Sequence, residues 1–163
     1  GGEPTMQAEF LLELLERTAS MHRAIETSGY CSGNVFDAML ARIDYVMMDL
    51  KLADAALHRQ YTGVSNEPIL ENLERLKKSG RPFRIRIPVS PGVNDSEDNF
   101  EQTARLLTDA PALEQVELLP YHVTAGAKYE MVGLRYQPTF DTGCTPQLRT
   151  EIFRRHGLRC THL

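Results

Sequence analysis

Two hydrophobic periods alternate along the chain. Residues 5–20 set Met6, Phe10, Leu14 and Leu15 on one side of a helical wheel and Glu9, Glu13, Glu16 and Arg17 on the other, with Thr5 as N-cap. Residues 23–27 read as a short strand ending at the turn Ser28-Gly29, and residues 35–40 as a short helix. Residues 43–50 carry the apolar run Tyr45-Val46-Met47-Met48, the pattern of a strand buried on both faces. A helix is predicted over 66–79, through Ile69, Leu70, Leu73 and Leu76, with Ser79-Gly80 as its stop. Phe83, Ile85, Ile87 and Val89 then alternate with Arg84, Arg86 and Pro88, giving a strand with one strongly apolar face. Asp95 or Ser96 caps a helix running to about Thr108, and residues 116–119 form the next strand. After Tyr121-His122 no period holds until about residue 144, where a helix near 146–156 and a strand at 158–161 close the pattern.

Strands alternating with helices of this length imply right-handed crossovers and a mainly parallel sheet. At 163 residues the chain falls short of the ~250 usual for a closed eight-unit barrel, so the expected fold is α/β, a partial (β/α) TIM-like barrel fragment, with 1–163 as a single domain. The chain starts on a helix, with Gly1-Gly2-Glu3-Pro4 and no initiating Met, as expected of a piece of a longer chain whose preceding strand is missing.

Composition narrows the function classes. Eighteen basic against 22 acidic side chains give a net charge of -4, which argues against nucleic acid or anionic lipid as partner. No apolar run reaches the ~20 residues of a membrane span, and no signal peptide is visible. Cys31, Cys144 and Cys160, odd in number and without CxxC spacing, read as reduced thiols of a cytoplasmic protein.

In such folds ligands bind beyond the carboxyl ends of the strands. Those positions hold Glu3, Glu26 and Thr27, Asp49 and Lys51, Arg86, and His122. Each also has a structural reading: a solvated acid in a turn, a strand end, a surface ion pair, a polar strand face, a structural histidine. Their shared rim favours a small polar ligand carrying both amine and carboxylate.

Taken in order, Gly1-Gly2-Glu3-Pro4, Glu26-Thr27-Ser28-Gly29-Tyr30, Met48-Asp49-Leu50-Lys51, Tyr61-Thr62-Gly63-Val64-Ser65-Asn66, Arg86 with Pro91-Gly92-Val93-Asn94-Asp95, Leu119-Pro120-Tyr121-His122 and Lys128-Tyr129 resemble the glycyl-radical-enzyme activating enzymes of the radical S-adenosylmethionine class, those of the pyruvate formate-lyase type in particular. The resemblance implies a (β/α)6 partial barrel in which a 4Fe-4S cluster reductively cleaves S-adenosylmethionine. The resulting radical takes hydrogen from a glycine of a partner glycyl-radical enzyme, with flavodoxin or ferredoxin as electron donor. It implies that Gly1, Gly2 and Glu3 receive the methionine amine, that Asp49, Leu50 and Lys51 contact ribose and methionine, that Thr27 adjoins the cofactor, and that His122 lies by the ribose or adenine. It further implies a monovalent cation held by Glu26, Thr27, Met47 and Asp49, although Glu26 stands where Asp is familiar, and a partner contact at Arg86.

The family's CxxxCxxC cluster motif lies upstream of Gly-Gly-Glu, and nothing like it occurs here. The expectation is therefore an activase whose 163-residue portion is inactive alone. Two alternatives are a Schiff-base aldolase or lyase using Lys51 and a noncatalytic module that docks the partner.

Overall fold

The computed structural model describes residues 2–126, 129 and 131–162. After a 3-10 turn at Pro4–Gln7 come α1 (Ala8–Arg17), β1 (Ala24–Thr27), α2 (Gly33–Leu40), β2 (Tyr45–Asp49), α3 (Ala55–Thr62), α4 (Glu67–Ser79), β3 (Phe83–Val89), α5 (Glu97–Leu107), β4 (Leu113–Pro120), α6 (Thr150–Arg155) and β5 (Cys160–His162). A second 3-10 turn, Val123–Gly126, follows β4. The five strands form one parallel sheet in sequential order β1-β2-β3-β4-β5. Sequential parallel strands joined by right-handed crossovers place their helices on one side, the arrangement of a barrel wall rather than of a doubly wound sheet.

Burial follows from that arrangement. Ile25, Val46, Met48, Phe83, Ile85, Ile87, Val116 and Leu118 point toward the helices and join Phe36, Met39, Leu73, Leu76, Phe100 and Phe153 in one core. Each such side chain contributes roughly 1.5–3 kcal/mol by leaving water. The other face carries Glu26, Met47 and Asp49, then Arg84, Arg86 and Glu117, in register across four strands. β2 is therefore buried on one face rather than both: Val46 and Met48 are inaccessible, whereas Tyr45, Met47 and Asp49 are only half-buried.

Several other expectations need correction. The first helix is a 3-10 turn followed by a shorter α-helix, and Glu3 rather than Thr5 caps the turn. Leu11 and Leu15 bury this helix, while Met6, Phe10 and Leu14 are 74%, 65% and 45% exposed. The apolar arc is wider than the stripe that meets the sheet. α3 was not expected, because its sequence carries only one buried side chain, His58. Its ends were nevertheless marked, by Asp54, whose carboxylate accepts from Leu57 N–H at 2.8 Å, and by Gly63 at φ 81°. α6 starts at Thr150 rather than near 146, the Gln147 N–H being spent on Asp95 at 3.1 Å. Among the described residues no helix is long and apolar enough to cross a membrane.

Candidate functional site

Glu3 is the anchor of the rim. Its Oε1 accepts from Thr5 N–H at 3.2 Å, Thr5 Oγ1 at 2.8 Å and Thr27 Oγ1 at 2.7 Å, and its Oε2 accepts from Ser28 N–H and Ser28 Oγ, both at 2.7 Å. Burial pushes this carboxyl up, but the bonds from Ser28, Thr27 and Thr5 outweigh it and hold the group below its ordinary 4.5. Five donors saturate a carboxylate. An amine arriving here is thus left to backbone carbonyls, and Glu3 serves by fixing the chain that presents them. Gly2 is exposed, whereas Gly1 and Lys128 lie outside the described residues. The turn that Glu3 grips needs Gly29, at φ 71°, where a Cβ would come 2.4 Å from the Met48 methyl.

The Glu3 carboxylate predicts a pH effect. A lowered folded pKa gives stability that is present above about pH 4.5 and lost as pH falls through the folded value. Glu3→Gln should cost about 1–3 kcal/mol at pH 7, because an amide nitrogen replaces an acceptor that faces hydroxyl and N–H donors. In urea titrations the gap between variant and parent should close below pH 4.5.

Across the helix-free face, opposite charges are paired. Arg86 Nη1 meets Glu26 Oε2 at 2.8 Å, diagonally over β2, and Lys51 Nζ meets Asp49 Oδ2 at 3.2 Å. Nearer the amino ends of the strands, Arg84 donates to Glu117 at 2.5 Å and to the Tyr45 hydroxyl at 2.9 Å, and that hydroxyl donates to Glu114 at 2.7 Å. Glu117 is buried and also accepts from Gln115 at 2.6 Å, so its Oε1 is shared between two donors in one connected network.

Four buried asparagines lace the rim loops together, and the sequence reading assigned them no role. Asn94 donates to the carbonyls of Lys51 and Pro88, both at 2.8 Å, and accepts from Ser90 N–H at 2.8 Å. Asn99 accepts from Ala53 N–H at 3.0 Å, and Asn66 donates to the carbonyls of Leu52 at 3.1 Å and Ala53 at 2.8 Å. Asn72 donates to the carbonyls of Gly29 and Cys31, both at 2.9 Å. The loop bearing Lys51 is thus tied to α4 and α5 before any ligand arrives. A cavity of about 200 Å³ opens beside it, walled by Ser28, Tyr30, Asp49, Lys51, His58 and Val64. His58 Nδ1 donates to the Val64 carbonyl at 2.9 Å, which leaves Nε2 unprotonated in the neutral ring.

Not every expected side chain reaches the rim. Leu50 is 1% exposed, with its N–H on the Arg86 carbonyl at 2.9 Å, so its side chain belongs to the core. Strand alternation sends the Glu26 and Thr27 side chains to opposite faces, and Thr27 is buried, its hydroxyl donating to Glu3 and accepting from Gly29 N–H. His122 is exposed beyond β4, with Nδ1 accepting from Thr124 N–H at 3.3 Å and Nε2 left as donor.

The cysteines do not assemble a cluster site. Cys31 lies against Asn72 and burial pushes its thiol up; Cys144 is exposed on Asp141; burial pushes Cys160 up to about 12. Among the described residues no three His, Cys, Asp or Glu side chains converge on a metal position. The three thiols thus do not fit an iron-sulfur cluster. The donor set does fit the methionine end of S-adenosylmethionine, since Lys51 suits a carboxylate and the Gly2-Glu3 backbone an amine.

The chain is 38% identical over 141 residues to the 4-hydroxyphenylacetate decarboxylase activating enzyme of Clostridium scatologenes, covering 84% of this chain and 45% of that protein. It is 41% identical over 136 residues to the isethionate sulfite-lyase activating enzyme of Nitratidesulfovibrio vulgaris, covering 81% and 44%. The chain thus spans about half the length of these curated relatives. A crystal structure of a domain of pyruvate-formate lyase-activating enzyme from Bacteroides vulgatus superposes with a TM-score of 0.77 at 30% identity, over 100% of this chain and 95% of that one. Residues 1–107, more than half the chain, match the radical SAM superfamily, and the chain belongs to it.

Proposed function

We propose that this chain is the S-adenosylmethionine-positioning part of an activase that installs a radical on a glycine of a partner enzyme. The observation that carries the reading is the preorganised Lys51 loop, set beside Asp49 and facing the Glu3-anchored turn across β1 and β2. When bound, S-adenosylmethionine and the family's 4Fe-4S cluster supply a hydrogen-abstracting radical. The chain's own residues bind and orient: Lys51 pairs with the methionine carboxylate, the Gly1-Gly2-Glu3 backbone accepts from the amine, Asp49 accepts from the ribose, and His122 Nε2 donates to ribose or adenine. Thr27 acts through Glu3 rather than by contact. Arg86 gives one nitrogen to Glu26, and among the described residues its other donors have no partner and would meet the partner's glycine loop.

A one-electron donor such as flavodoxin or ferredoxin, and a cytoplasmic setting consistent with three unpaired thiols, complete the reading. The Schiff-base alternative gains nothing from a Lys51 that is ion-paired and 42% exposed rather than desolvated. The test is anaerobic reconstitution of the full gene product carrying this chain, mixed with glycyl-radical enzymes of the decarboxylase and lyase types. EPR should show a glycyl radical on one of them that depends on added S-adenosylmethionine. Its absence from all of them would sink the assignment.

A further inference from the structure

His58 is the one buried side chain of α3, and the fold uses only one of its two ring nitrogens. The Val64 carbonyl, 2.9 Å from Nδ1, can only accept, and the neighbouring Thr62 hydroxyl already donates to the His58 carbonyl at 2.7 Å, so Nδ1 carries the proton. That bond ties the end of α3 to the turn at Gly63, a task an asparagine amide could perform equally well. Nε2 is left over. It has no partner among the described residues and is not sealed from solvent, so it opens on the cavity of about 200 Å³ that His58 walls together with Asp49 and Lys51.

The Lys51 ammonium, on the same cavity, has three donors and spends one of them on Asp49 at 3.2 Å. Other acceptors along that wall are occupied or lie outside it: Ser28 Oγ accepts from Tyr30 N–H, Thr62 Oγ1 accepts from Val64 N–H, and the Tyr30 ring is exposed. The imidazole Nε2 is the buried one still uncommitted. We infer that His58 is a positioning residue for Lys51: when the cofactor engages the rim, Nε2 accepts from the ammonium and turns it toward the methionine carboxylate. The inference rests on the cofactor-positioning reading above, in which Asp49 is drawn to the ribose and loosens its hold on Lys51. A neutral ring suits this task better than a second carboxylate, because it orients the ammonium without cancelling the charge that attracts the ligand. The lysine is free to make the turn, since Asn94 fixes its carbonyl at 2.8 Å while its side chain stays partly exposed.

The test is a double-mutant cycle in the full gene product, read by equilibrium titration of S-adenosylmethionine and by urea unfolding. His58→Asn sets its amide nitrogen where Nδ1 stands and deletes Nε2, so it should keep the parent's unfolding midpoint and bind about fivefold more weakly. His58→Gln offers an acceptor near Nε2 but gives up the bond to Val64; it should unfold at lower urea and bind within about twofold of the parent. In the Lys51→Met background, His58→Asn should cost no further affinity, within about twofold. Parental affinity in His58→Asn, or an equal loss in the Lys51→Met background, overturns the inference. So does affinity that merely follows stability across the two variants, the signature of a structural histidine. If a variant does not fold, long-range proton–nitrogen NMR of the parent's ring decides. Nδ1 should carry the proton, and saturating S-adenosylmethionine should move the Nε2 signal; an unmoved signal overturns the inference. A proton on Nε2 in the ligand-free protein overturns it with no cofactor involved, whereas failure of the parent to bind S-adenosylmethionine overturns the cofactor reading and this inference with it.

Discussion

Asn94→Asp should lower the unfolding free energy of the chain by about 3 kcal/mol, a large effect for a change of one atom. The native amide points its nitrogen at two carbonyl oxygens, those of Lys51 and Pro88, and its oxygen at Ser90 N–H, with the residue 3% exposed. Aspartate keeps the acceptor for Ser90 but turns an oxygen toward two carbonyls, leaving them unpaired and facing a like partial charge. Each unsatisfied buried group costs about 1–3 kcal/mol. Asn94→Ala should cost nearly as much, whereas Asn34→Asp, at an exposed helical position, should stay within about 0.5 kcal/mol. Urea unfolding monitored by circular dichroism reads these differences as midpoint shifts at constant slope.

Much of the sheet was legible because one face of each strand is apolar. β3 shows this best: Phe83, Ile85, Ile87 and Val89 are all inaccessible, and Arg84 and Arg86 fall on the charged face as their alternation predicts. α4 was equally clear, its apolar stripe ending at a left-handed Gly80. α3 was not, since a helix lying over a rim instead of a core needs few apolar residues. For α1 a helical wheel shows an apolar arc but not which edge of it meets the sheet, so Leu11 was passed over and Met6, Phe10 and Leu14 were overvalued.

At the site, Glu3 meets the turn after β1, Asp49 and Lys51 stand at the end of β2, and Arg86, in mid-strand on β3, pairs in register with Asp49. What the sequence could not show was which of these groups are free. The Glu3 carboxylate is saturated by its own turn, and Glu26 is ion-paired with Arg86, sixty positions along the chain. The asparagine lacing was invisible for the same reason. Asn94 and Asn99 bond to backbone groups 43 and 46 residues away, partners that only the folded chain brings near. Asn66 and Asn94 stood within the motifs, but an amide at a loop gives no sign of whether it faces a ligand or holds the loop.

Lys51 carries the second large effect. It is held where a carboxylate can pair with it, at the end of β2, with its carbonyl clamped by Asn94 and its ammonium steadied by Asp49. A charged hydrogen bond in a partly buried site is worth about 1.5–3 kcal/mol, which corresponds to roughly ten- to hundredfold in affinity. Lys51→Met keeps the stem and removes the charge, so packing should survive while binding does not. Lys78→Met, at the exposed end of α4, serves as the control. The most direct measurement is an equilibrium titration of S-adenosylmethionine into the full gene product and these two variants. A loss of at least tenfold for Lys51→Met, with Lys78→Met matching the parent, is the predicted result; equal affinity for Lys51→Met and the parent would contradict the account.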